Sequence, residues 1–176
     1  NFAHATSYLA NGIGAINETD MPFENNENEI DISKIQNKKV TSQLYDTIEF
    51  ASYKSATSQE KTAIINQIKQ HIQNHGSISA MIHGSDSATT GISCYNNETG
   101  AKYCSNSILH PIDHAVSIIG WDDNYSKENF PDWCRPQKDG AYIALNSWGE
   151  EFGDNGIFYI SYEDIVVHGE LMGVVF

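Results

Sequence analysis

The sequence predicts an α+β domain built on an antiparallel sheet or half-barrel. Three observations carry this: one strongly capped amphipathic helix, a series of short strand-like runs after it, and turn residues bounding each run. The chain of 176 residues, with 40% apolar and 11% aromatic residues, has enough material for a globular domain with its own core.

Residues 2–11 read as a short helix, because Ala3, Ala5, Leu9 and Ala10 favour it and Gly12 stops it. Residues 24–39, rich in Asn and Glu and poor in apolar side chains, read as an exposed loop. Thr57 followed three residues later by Glu60 forms a capping box. Ile64, Ile65, Ile68 and Ile72 then share one helical face until Gly76 closes the helix. A strand over 78–82 comes next, and further strands are expected over 115–121, 141–146 and 157–162. Between Gly120 and Gly140 the chain is rich in Asp, Asn, Lys and Pro and reads as a surface loop.

Charge excludes some functions. The net charge of −13, from 23 acids against 10 bases, repels phosphate backbones and anionic lipid, so nucleic-acid binding is not expected. The mean hydropathy of −0.42 and the lack of any apolar run near the ~20 residues of a membrane helix predict no membrane span. Three cysteines, Cys94, Cys104 and Cys134, leave at least one outside any intrachain disulfide.

Two segments carry chemistry. The first is Asp113-His114-Ala115-Val116 running on to Gly120-Trp121; the second is Asn146-Ser147-Trp148-Gly149, followed by Gly153 and Gly156. The first is similar to the Asp/Asn-His-Ala-Val segment of papain-like cysteine peptidases and the second to their Asn-Ser-Trp-Gly segment. The helix and strand upstream of His114 fit the same family, so the resemblance covers nearly the whole chain. Phe152 stands where the family usually has a second Trp, and Ile157 where it has Tyr. The long loop after Gly120 and the Cys94-to-Cys104 segment resemble the bacterial or protist branches.

The resemblance implies a right-hand lobe, an antiparallel half-barrel with helices, over about residues 40–176, and a remnant of the helical left-hand lobe over about 1–24. It implies His114 as acid and base, Asn146 as the amide that orients it, and Trp148 as a shield over their hydrogen bond. Asn1, Phe2, Met81, Asp113 and Ala115 are expected at the substrate site. The nucleophilic cysteine of the family lies N-terminal to everything seen here, so a companion chain or N-terminal segment is expected to supply it. The expected substrate is a peptide or protein, the expected place is outside the cell, at its surface, or in a lysosome-like compartment in a eukaryote, and no metal or organic cofactor is required.

The alternatives are a non-catalytic peptide-binding module on the same scaffold and a zinc site from Cys104, His110, His114 and Cys134. For the disulfide, Asn97-Glu98 and Thr99-Gly100 suit a turn that would let Cys94 pair with Cys104, and Cys104 with Cys134 is the other pairing.

Overall fold

A computed structural model describes residues 7, 9, 14–20, 22, 40, 44–84, 94–105, 112–167 and 171–175. The chain forms two compact units, Asn1–Thr47 with Val174–Phe176, and Ile48–Gly173. In the smaller unit the described residues include a turn in which the Asp20 amide donates to the Asn17 carbonyl at 2.9 Å. The helix expected over 2–11 and the loop expected over 24–39 lie almost wholly outside the described residues.

The elements are β1 (Asp46–Glu49), α1 (Ser58–His75), β2 (Ile78–Ile82), β3 (Tyr95–Asn96), β4 (Ala101–Lys102), β5 (His114–Asp122), β6 (Ala141–Leu145), β7 (Ile157–Ser161) and β8 (Leu171–Val175). The capping box opens α1: the Glu60 amide donates to Thr57 Oγ1 at 3.3 Å, and the Thr57 amide donates to Glu60 Oε2 at 2.7 Å. The buried stripe of α1 is Ile64, Ile68 and His71, with Ile65 and Ile72 packed at its margin.

Eight strands form one sheet in the order β1-β8-β2-β5-β6-β7-β4-β3. The registered pairs are antiparallel except β4 with β7, which is parallel. This is the α+β architecture expected. Strand alternation sends Ile78, Ala80 and Ile82 of β2 and Val116 and Ile118 of β5 into the core under α1. It leaves Met81 and Ala115, register partners, on the other face.

The segment between Gly120 and Gly140 differs from the surface loop expected. Tyr125 and Phe130 are buried in a second cluster with Ala101 and Ala141, and Tyr125 stacks on Tyr159 with ring centroids 4.1 Å apart. Its polar composition hides two aromatic anchors spaced for inward packing.

The disulfide also differs. Cys94 bonds to Cys134, and Cys104 is a buried thiol outside it. Neither expected pairing, Cys94 with Cys104 or Cys104 with Cys134, forms. The β3–β4 register sets Tyr95 opposite Lys102, and the Tyr103 amide donates to the Cys94 carbonyl. Cys94 therefore faces Tyr103, not Cys104. The Cys104 amide is held by the buried Asp164 carboxylate at 2.7 Å, and the Val166 and Val167 amides are held by its other oxygen at 2.9 Å. Burial pushes the Asp164 carboxyl above its usual range.

His71 carries a pH dependence. Its ring is buried against Gly173, where an added Cβ would lie 2.4 Å from it, and meets Phe50 edge-on at 5.8 Å. Among the described residues neither ring nitrogen has a hydrogen-bond partner. Burial, and secondarily His75, lowers its pKa below 6.5. The unfolded chain thus binds this proton more readily than the folded one. Stability is full above about pH 6.5 and falls as pH drops through the lowered folded value. Thermal melts between pH 7 and 5, above the carboxylate range, should show this loss, and His71→Leu should flatten it. An unchanged acid slope in the variant would rule His71 out as its source.

Candidate active site

His114 opens β5 and Asn146 follows the end of β6, the neighbouring strand. His114 is the register partner of Ile82 at the end of β2. The ends of these strands therefore converge on one place. His114 Nε2 lies 2.7 Å from Asn146 Oδ1. The same Oδ1 accepts the Ser147 amide at 2.8 Å, so this atom is the amide's acceptor oxygen. His114 Nε2 must then carry the hydrogen and donate. That leaves Nδ1 as the nitrogen that takes or gives a proton in a reaction.

Asn146 is itself fixed. It is 9% exposed, and its backbone N–H donates to the Gly156 carbonyl at 2.9 Å. The chain returns to this contact through a loop of left-handed residues, Gly149, Gly153, Asn155 and Gly156. At Gly153 a Cβ would lie 2.1 Å from the Ile157 carbonyl oxygen, so only glycine fits there.

Trp148 stacks on the His114 ring with centroids 4.7 Å apart and an interplanar angle of 29°. Its outer face remains open, at 52% exposure. Behind it Phe152 meets Trp148 edge-on at 5.0 Å, and Phe158 meets Phe152 at 5.6 Å. The phenylalanine at position 152 thus buttresses the indole from the core side.

Of the residues expected at a substrate site, Met81 and Ala115 lie side by side in the β2–β5 register, Met81 half-buried and Ala115 exposed. Asp113 joins the strand ends: its amide donates to the Ile82 carbonyl at 3.1 Å, and its Oδ1 accepts the Gly84 amide at 2.5 Å. Asn1 and Phe2 lie outside the described residues, as does His110. Cys134, engaged with Cys94, is not a thiolate, which removes the zinc alternative. Among the described residues no three or more His, Cys, Asp or Glu side chains gather as metal ligands do.

His83 lies in neither of the two motif segments. It is 3% exposed, with Nδ1 3.5 Å from Asp113 Oδ2. The signal for it is the register of β2 on β5, which places residue 83 just beyond the His114 pair.

A family model described as papain family cysteine protease matches residues 1–171. The clostridial cysteine protease Cwp84 after propeptide cleavage is 28% identical, with a TM-score of 0.77, over 96% of this chain and 38% of that one. A structure of the cysteine protease and lectin-like domains of Cwp84, a surface layer associated protein of Clostridium difficile, is also 28% identical, with a TM-score of 0.74 over 97% and 35%. A structure concerned with the mite allergens Blo t 1 and Der p 1 shares the fold at 17% identity, with a TM-score of 0.61 over 98% and 46%. The chain thus spans less than half the length of these solved proteins. No match was found among curated proteins.

Proposed function

The chain belongs to the papain family of cysteine proteases, and on that premise we propose that it supplies the histidine and asparagine of a Cys-His-Asn peptidase site whose nucleophile lies outside these 176 residues. The observation that carries the reading is the 2.7 Å contact between His114 Nε2 and Asn146 Oδ1, with its polarity set by the Ser147 amide. The amide fixes the imidazole's tautomer without adding a negative charge, and Nδ1 is left for the thiol.

In this reaction Nδ1 of His114 takes the proton of the cysteine thiol, and the thiolate adds to the substrate carbonyl carbon. Collapse of the tetrahedral intermediate breaks the C–N bond, and the Nδ1 proton passes to the leaving amine. Water then attacks the thioester while Nδ1 accepts its proton, and the acid and the thiol are released. Trp148 limits water's access to the Nε2–Oδ1 bond, which a drier surrounding strengthens.

The chain's own thiols argue for an outside nucleophile. Cys94 and Cys134 are joined to each other, and Cys104 is fully buried with its amide on Asp164. Apolar side chains left open around the site, Leu145 at 43% exposure and Trp148 at 52%, are what a nucleophile-bearing segment would cover. The disulfide and the surface-layer association of Cwp84 favour a place outside the cell or at its surface. No helix among the described residues is long and apolar enough to cross a membrane.

The test is labelling of the full protein by a peptide epoxide that alkylates thiolates, read by mass spectrometry. One equivalent is expected on a cysteine other than Cys94, Cys104 and Cys134, and none after His114→Ala. Absence of labelling in the parent protein would favour a non-catalytic peptide-binding module. Met81 and Ala115 as apolar walls further predict preference for an apolar residue just before the one at the cleaved bond. A substrate panel preferring an acidic residue there would reject that assignment.

A further inference from the structure

We propose that His83 is a positioning residue for His114, acting through the Asp113 carboxylate and the Gly84 backbone. The inference rests on the reading of His114 as the acid–base group. Among the described residues the β2–β5 register ends at the pair Ile82 and His114, and the Asp113 amide adds one further backbone bond, to the Ile82 carbonyl. Asp113 takes over there. One carboxylate oxygen accepts the Gly84 amide at 2.5 Å and the other lies 3.5 Å from His83 Nδ1. The carboxylate thus faces two consecutive residues at the end of β2, with the His83 side chain 3% exposed and the Asp113 side chain 32% exposed.

Gly84 transmits this to the reacting group. A Cβ at Gly84 would lie 2.6 Å from the His114 Cβ and 3.0 Å from its Cγ, so the Gly84 backbone is a wall against the base of the imidazole. Asn146 fixes the ring's far nitrogen and Trp148 covers its face. The wall sets the remaining freedom, the swing of the ring about its Cα–Cβ bond. When His83 is removed, Asp113 keeps the Gly84 amide but loses the contact that fixes its carboxylate plane. Gly84 then shifts, and Nδ1 of His114 moves relative to the thiol it serves.

The experiment separates positioning from packing by the choice of substituent. His83→Leu keeps the bulk and removes the donor, whereas His83→Asn places an N–H where Nδ1 stood and loses bulk. In the full protein, His83→Leu is expected to lower kcat about 10-fold with KM within about twofold, part of the ~10²-fold that a misplacement of about 1 Å costs. His83→Asn is expected to recover most of kcat while melting below His83→Leu. A space-filling role for His83 gives the reverse order of kcat, and that order, or equal kcat for all three proteins, overturns the proposal. The ¹⁵N signals of the His114 ring give a readout independent of turnover: they should move in His83→Leu and return in His83→Asn. If they do so in a protein without peptidase activity, the peptidase reading fails and the positioning role stands. If they stay fixed in all three proteins, the positioning role falls whatever the activity.

Discussion

Replacing His114 with alanine in the full protein is expected to lower kcat/KM by at least about 10⁴-fold with little change in thermal stability. The group is asked to do three things in turn: hold the thiol's proton, return it to the leaving amine, and take one from water. Asn146 cannot substitute, because it is a neutral amide that neither gives nor accepts a proton at working pH. Asn146→Ala keeps the base and loses only its orientation, so a smaller loss of about 10²-fold is expected. The double variant should be little worse than His114→Ala alone, since the amide acts through the imidazole. Steady-state kinetics on one peptide substrate decide the matter. A loss below about tenfold for His114→Ala would mean that the chemistry runs through another group.

What could be read from the sequence was what local pattern records. The Thr57–Glu60 box and the isoleucine stripe placed α1, and β2, β5, β6 and β7 lie within a residue of the runs expected for them. The meeting of His114 and Asn146 was legible through the motifs around them. What was not legible depends on partners distant in sequence. β8 holds only five residues around Gly173, and that glycine is there because the His71 ring fills the space a side chain would need. The parallel pairing of β4 on β7 cannot be inferred from a turn that announces only a hairpin. The disulfide failed for a register reason: a shift of one position put Tyr103, not Cys104, opposite Cys94. The place of His83 and Gly84 beside His114 is set by where β2 ends against β5, which no residue type signals.

The largest expected loss of stability is at Phe158. It sits in β7, 1% exposed, opposite Ala144 of β6, with Tyr95 and Phe152 edge-on to its ring. Ala144 has no bulk to relax into the space, and the strands on both sides are tied by the sheet, so Phe158→Ala should leave a cavity. A loss of about 3–5 kcal/mol in unfolding free energy follows, read by denaturant titration. At roughly 2–4 °C per kcal/mol for a chain of this size, the melt should fall by about 6–20 °C. The same ring supports Phe152, which supports Trp148, which covers His114. Phe152→Leu therefore separates the two consequences: it keeps an apolar filler and should cost under about 1.5 kcal/mol, yet it removes the edge that steadies the indole. If Trp148 matters only as bulk, Phe152→Leu leaves kcat unchanged. If its fixed stacking on His114 matters, kcat falls while the fold stays intact, and the loss at Phe158 is then partly a loss of alignment that stability alone would not reveal.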